Sequence, residues 1–279
     1  MRIKSLLLSS IVAAMVGTPA LAASATVPAV ANLGISAKSA LIVDGQGKIL
    51  FERNANTKLP NASTTKVLTA LVVLDGAALE DVVTVRQAAA KAPPSRLGIK
   101  AGERYTVLEL LYALLLESAN DAAVALAEHV AGSQERFAKL LNQKARTLGA
   151  HNTHFVTPNG LHSPGHYSTA RDLAIIVRAA MQSPIYVAIA QTHTVDLVWP
   201  GNHAAHRVTN HNKLLASYAT PVLGKTGFTN PAGRCYVGAT QDSLLTVVML
   251  GSHNLWRDAR RLFDWGIKAT QQPSSAPSG

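Results

Sequence analysis

The chain has 279 residues, 48% of them hydrophobic and 5% aromatic, with 26 Lys and Arg against 16 Asp and Glu and a formal net charge of +10 at pH 7. Its single cysteine, Cys235, excludes an intramolecular disulfide, no internal repeat is visible, and the length suits one compact unit of two lobes. The positive balance fits either a solvated basic surface or anionic surroundings such as a cell-wall polymer, but no Lys/Arg cluster with interleaved aromatics occurs, which argues against nucleic acid as a partner.

Residues 1–22 read as a secretory signal peptide. Arg2 and Lys4 supply the positive start, Ser5–Val16 the apolar stretch and Ala20-Leu21-Ala22 the small-residue cleavage pattern. The apolar stretch falls short of the ~20 residues that span a bilayer. Cleavage after Ala22 and export are expected, with no membrane anchor afterwards. Residues 23–34 then form a linker, 35–269 the folded domain and 270–279 a Ser-, Pro- and Gln-rich disordered tail.

Within the domain, Lys38–Val43 and Lys48–Arg53 flank Asp44-Gly45-Gln46-Gly47, a hairpin signal. Ser63–Asp75 has helical spacing. Thr106 and Glu109 make a capping box ahead of a helix over Val107–Leu116. Asp121–Val130 is a helix stopped by Gly132, and Ser133 caps Gln134–Leu148, which Gly149 stops. Thr169 with Asp172 caps a helix to about Met181. Strand patterns return at His193–Trp199 and His206–Asn210 around Pro200-Gly201-Asn202, then at Val222–Phe228, Arg234–Thr240 and Leu244–Gly251. Asn254 caps a closing helix to about Ala269. Strands at both ends with helices between predict an α/β (α+β) fold. One antiparallel sheet joins the first hairpin to the late strands, with helices on both faces and a mostly helical lobe.

Three short motifs carry the chemistry: Ser63-Thr64-Thr65-Lys66, Ser118-Ala119-Asn120 and Lys225-Thr226-Gly227. With 19 Ser and 12 Lys, about one Ser-x-x-Lys arises by chance. The first motif therefore means little without the order and setting of the other two. Ser63 falls in the first turn of a helix and Lys66 lies on the same face. A partly desolvated Lys66 amine can take the Ser63 proton, which would make Ser63 a nucleophile. Ser118 and Asn120 sit in a polar break between apolar helices, where they point short side chains into a cleft. Ser118 is placed to pass a proton to a leaving amine, and Asn120 to bond Lys66 and a substrate backbone. Lys225 and Thr226 offer a charge and a hydroxyl to a carboxylate. Gly227 leaves room for a substrate along the strand. The N–H of Phe228 with that of Ser63 is the expected oxyanion hole. The bland readings are an N-cap for Ser63, an interhelical turn at Ser118 and a sheet edge at Lys225.

These motifs resemble those of low-molecular-weight penicillin-binding proteins of the serine D-alanyl-D-alanine carboxypeptidase/endopeptidase family. Ser118-Ala119-Asn120-Asp121-Ala122-Ala123, Pro158-Asn159-Gly160-Leu161, Tyr167–Leu173 and Lys225–Cys235 extend the resemblance over most of residues 35–267. It implies a β-lactamase/transpeptidase-like fold and a Ser63 acyl-enzyme with Lys66 as base. Ser118, Asn120, Lys225 and Thr226 would line the site. The implied partners are peptidoglycan stem peptides, with β-lactams as inhibitors, and no cofactor or metal. The chain resembles the short periplasmic members. Ser95-Arg96, Thr209-Asn210-His211 and Phe228-Thr229-Asn230 look like the endopeptidases, Ser118-Ala119-Asn120 like the carboxypeptidases. In carboxypeptidases a basic group near the start of the last helix meets the terminal carboxylate. Arg257 is nearby, although Leu255 or Trp256 competes for that slot.

Three rivals stand against this reading. A serine β-lactamase of the best-known class needs a Glu in a loop after the second motif, and between His129 and Asp172 the only acid is Glu135, at a helix start. A zinc peptidase would use the histidines at His151/His154 or His203/His206/His211, but no acid accompanies them at ligand spacing, so these read as loop or surface residues. A non-catalytic binding module would need Ser63 or Lys66 replaced, and both are present; a penicillin or peptidoglycan sensor is the form of this rival that could keep them. Cys235 lies in an apolar run and reads as a buried, inert thiol.

Overall fold

The computed structural model describes residues 32–198, 205–242 and 244–271. The signal-peptide region, most of the expected tail and the turn at Pro200–Asn202 lie outside them, as do Trp199 and His203.

The first hairpin is β1 (Ser39–Asp44) and β2 (Ile49–Arg53). A 3-10 turn (Ala62–Thr65) runs straight into α1 (Lys66–Gly76), followed by β3 (Val82–Thr84), α2 (Gln87–Ala90) and β4 (Arg104–Thr106). The helical lobe continues with α3 (Val107–Leu115), α4 (Asn120–Ala131), α5 (Gln134–Leu148), α6 (Ala170–Ala180) and α7 (Pro184–Ala190). A ribbon of β5 (Thr194–Leu197) and β6 (His206–Thr209) leads to β7 (Val222–Thr229), β8 (Gly233–Thr240), β9 (Leu245–Ser252) and α8 (Leu255–Gln271).

The main sheet is antiparallel in the order β2-β1-β9-β8-β7, so the first hairpin joins the late strands through β9, as the strand pattern predicts. Alternation along each strand divides the sheet's two faces. Leu41, Val43, Val237, Val248 and Leu250 turn toward the helical lobe. Ala40, Ile42, Tyr236, Val247 and Met249 turn toward Leu262 and Phe263 of α8. α1 is buried from Lys66 to Val73, which places it at the centre of the lobe.

The caps form as read. Thr106 and Glu109 exchange both capping-box bonds, Ser133 and Thr169 accept from Arg136 and Asp172, and Gly132 and Gly149 end their helices with φ of +78° and +90°. The expected first helix begins instead as a 3-10 turn, and α8 runs two residues past Ala269 into the expected tail. The β3–β4 ribbon, α2 and α7 are elements the periodicity did not reveal. Strands of three residues and helices of four or seven give too few repeats for a period to register.

α8 is pinned to the sheet through Asp258, whose fully buried carboxylate accepts from Ser36 N at 2.8 Å, Ser36 Oγ at 2.5 Å and Ser252 Oγ at 2.8 Å. Asp258→Ala strands these donors. The expected result is a stability loss of about 2–4 kcal/mol, roughly 5–15 °C in Tm, measured by thermal denaturation.

Candidate active site

Three distant segments meet where the 3-10 turn backs onto β7. In the turn, Asn61 Nδ2 donates to Thr64 Oγ1 (3.1 Å) and Thr65 Oγ1 (2.9 Å), and these hydroxyls donate to the Asn61 and Ala62 carbonyls at 2.7 and 2.9 Å. Asn61 therefore precedes the turn and its neighbours tie down the backbone, so Ser63 is not a cap. Ala62 takes φ +48°, a left-handed conformation that costs a non-glycine residue ~1 kcal/mol or more.

Gly227 explains how β7 can lie so close. A Cβ there would stand 2.8 Å from Ser63 N, 3.1 Å from Thr64 N and 3.1 Å from Ala62 Cβ. The space left by its missing side chain is therefore filled by the backbone of the Ser63 turn. This corrects the expectation that a substrate would occupy it. On the same face of β7, Lys225 is buried; Phe228, one residue beyond Gly227, is 59% exposed. β7 is the sheet's edge strand, and its outer edge has backbone groups in position to pair with an extended ligand.

Lys66 is the hub. Its Nζ lies 2.9 Å from Ser63 Oγ, 2.7 Å from Asn120 Oδ1 and 2.8 Å from the Asn159 carbonyl. Burial holds its pKa well below 10.5, helped by the positive charge of Lys225 and opposed by Asp121. A neutral amine has two N–H groups and a lone pair. Asn120 and Asn159 take the N–H groups, which leaves the lone pair for the Ser63 hydroxyl. Burial also pushes Lys225 down to about 7, and its Nζ donates to Thr226 O at 3.1 Å.

The Ser118 turn is fixed from both sides. Ser118 is 9% exposed with φ +62°. Behind it, Leu116 O accepts from His211 N at 3.2 Å and Glu117 Oε1 from Thr209 N at 3.0 Å. Ahead of it, Asn120 donates to Ser95 O from its backbone (2.8 Å) and to Pro93 O from Nδ2 (3.0 Å). Asp121, fully buried, accepts from the backbone N–H groups of Leu97, Gly98, Ile99 and Ala122 at 2.8–3.2 Å, so its charge is fully hydrogen-bonded.

Ser63, Lys66 and Asn120 are thus directly bonded, Gly227 touches the Ser63 turn, and Lys225 acts on Lys66 through space. Ser118, Thr226 and Phe228 occupy adjoining positions on the same segments. Arg257 is drawn against Asp258, with Nε and Nη2 both 3.2 Å from Oδ1. Of the histidines weighed as metal ligands, His154 meets the Gly165 carbonyl, His206 meets Tyr105 Oη and His211 lies 3.8 Å from Glu117. Glu135 is exposed in the first turn of α5. Cys235 is wholly buried, and burial pushes its thiol up to about 12. Two contributions went unread: Asn159 stood in a segment that carries the resemblance, but its carbonyl was given no role, and the His166 ring was not singled out. Gly160 was visible only within Pro158-Asn159-Gly160-Leu161, one of the segments that carry the resemblance.

Two lysines of lowered pKa give a testable pH profile. If Ser63 is the acylated residue and Lys225 meets a carboxylate, as the resemblance implies, reaction with a carboxylate-bearing penicillin should rise as Lys66 loses its proton and fall above about 7 as Lys225 loses its own. The apparent values belong to the pair, since the two charges interact. An uncharged thioester should show no alkaline limb. The shift also bears on stability. The unfolded chain holds the Lys225 proton up to 10.5 while the folded one releases it near 7, so stability gains from Lys225 as pH rises through that window.

Residues 24–253 match the family described as D-alanyl-D-alanine carboxypeptidase. The chain is 40% identical over 238 residues to the D-alanyl-D-alanine carboxypeptidase DacB2 of Mycobacterium tuberculosis, covering 82% of this chain and 81% of that protein. It is 36% identical over 263 residues to the D-alanyl-D-alanine endopeptidase of Pseudomonas aeruginosa, covering 88% and 83%. Of two other curated relatives it spans 55% and 62% of the length. The crystal structure of a D-alanyl-D-alanine carboxypeptidase from M. tuberculosis superposes with a TM-score of 0.78 at 37% identity, over 91% of this chain and 96% of that one. From the match over most of its length and from the shared β-lactamase/transpeptidase fold, the chain belongs to the D-alanyl-D-alanine carboxypeptidase family of serine peptidases.

Proposed function

We propose that the chain is a serine D,D-peptidase of peptidoglycan stem peptides in which Ser63 is the acylated nucleophile. The observation that carries this is the 2.9 Å contact between Ser63 Oγ and a buried Lys66 amine whose charged form is disfavoured. Lys66 takes the hydroxyl proton as Ser63 Oγ attacks the carbonyl of a D-alanyl bond. The N–H groups of Ser63 and Phe228 face the developing oxyanion. Collapse breaks the C–N bond, and the leaving amine receives a proton relayed through Ser118. Water then hydrolyses the ester. Lys225 and Thr226 hold a carboxylate of the substrate, and Asn120 its backbone. A β-lactam acylates the same serine, but its leaving amine stays tethered, so the ester persists. The N-terminal pattern supports export to the cell wall as the place of action.

Release of a terminal D-alanine and cleavage of a D-alanyl cross-link are the same chemistry on different leaving groups. The engagement of Arg257 with Asp258 favours the endopeptidase reading, because the guanidinium already has a carboxylate partner. Digestion of purified peptidoglycan fragments, followed by HPLC and mass spectrometry, tests both. Loss of one alanine from a monomeric pentapeptide marks a carboxypeptidase. Conversion of a 4,3-cross-linked dimer to monomers marks an endopeptidase. If neither substrate changes while penicillin still labels Ser63, the peptidase reading fails and a sensor takes its place.

A further inference from the structure

His166 is 4% exposed and touches both halves of the site without touching its centre. Its Nδ1 accepts from the backbone N–H groups of Val156 (3.1 Å) and Thr157 (3.3 Å), which lie just ahead of Pro158-Asn159-Gly160. A nitrogen accepting two N–H bonds carries no proton, so the ring proton is on Nε2. Nε2 lies 3.0 Å from Thr65 Oγ1 and donates to it. That hydroxyl accepts also from Asn61 Nδ2 and donates to the Ala62 carbonyl, so all three of its capacities are used. Burial, together with the nearby His154 and His162, holds the ring down to about 4, which keeps this tautomer neutral. The edge of the Phe155–His166 contact, 5.5 Å between centroids, fixes the ring's tilt.

We infer that His166 is a positioning residue, a neutral imidazole strut that sets the distance between the Asn159 carbonyl on Lys66 and the strained Ala62 turn that presents Ser63. The strut joins the loop that receives one N–H of Lys66 to the turn that carries the nucleophile. Any change in its length moves Ser63 Oγ relative to Lys66 Nζ. Small displacements of reacting groups typically cost ~10²-fold in rate. The inference rests on Ser63 being the acylated residue.

The test is the second-order rate of Ser63 labelling by a fluorescent penicillin, measured with Tm for each variant. His166→Phe keeps the ring's shape and removes all three hydrogen bonds, and it should slow labelling ~10–100-fold. His166→Gln supplies one acceptor and one donor, and it should recover the rate to within about threefold. Thr65→Val cuts the same strut at its other end and should slow labelling similarly. The double variant His166→Phe/Thr65→Val should be no slower than the worse single variant, since the second cut finds the link already broken. Labelling of His166→Phe at the wild-type rate would overturn the inference. So would equal losses in the Phe and Gln variants, or additive losses in the double variant. A wild-type protein that takes up no penicillin at Ser63 would overturn the nucleophile reading itself, a distinguishable failure.

Discussion

Ser63→Ala is expected to abolish the covalent penicillin adduct and to lower peptidase turnover by ~10⁴-fold or more, because removal of a nucleophile eliminates the covalent route. Lys66→Met separates the base from the nucleophile. It keeps the Ser63 hydroxyl and most of the buried volume but removes the lone pair 2.9 Å away, and acylation should slow ~10²–10⁴-fold. It also leaves Asn120 Oδ1 and the Asn159 carbonyl without the donor each now has. Intact-protein mass spectrometry after incubation with penicillin reads both variants. A stable adduct on Ser63→Ala would sink the assignment of the nucleophile.

The second large effect is expected from a single methyl group. At Gly160 the backbone takes φ +80°, and a Cβ would stand 2.0 Å from the Ala62 carbonyl oxygen, 2.5 Å from its carbon and 2.8 Å from Thr65 Oγ1. Two of these are backbone atoms of the strained turn and cannot swing aside. Gly160→Ala must therefore push apart the loop and the turn. Overpacking and a left-handed alanine together should cost about 2–5 kcal/mol. The displacement acts along the line from the Asn159 carbonyl to Lys66 to Ser63, so penicillin acylation should fall by at least ~10²-fold in the fraction that remains folded. Circular dichroism melts with labelling kinetics on the same preparation separate the two losses. Wild-type labelling kinetics would show that the loop does not set the site's geometry.

Much of this site was legible because its side chains carry the chemistry in short, ordered motifs. Ser63, Lys66 and Asn120 are directly bonded, and the spacing of Ser63 and Lys66 already put them on one helix face. The hairpin at the start and the three strands at the end were legible as short apolar runs bounded by turn residues, and their union follows from the need to bury both faces of one sheet. The rest depended on tertiary approach. Asn159 contributes a main-chain carbonyl, which no side-chain pattern announces. His166 stood among ten histidines, and only burial against Thr65 distinguishes it. Gly227 was correctly singled out for its missing side chain. What fills the gap is the backbone of the Ser63 turn, a contact across 164 residues that local patterning does not encode.

The position of β9 has a consequence for how the chain acquires its shape. It is the central strand, joining β1 to β8, and Ala40 pairs with Met249 across almost the whole domain. The sheet therefore has no middle until residues 245–252 are available, and β1 must wait with an unpaired edge while more than 200 residues are added. Such non-local pairing folds slowly. The same order of events means that a chain cut short before Leu245 keeps all three sequence motifs yet lacks the strand that joins the two halves of its sheet.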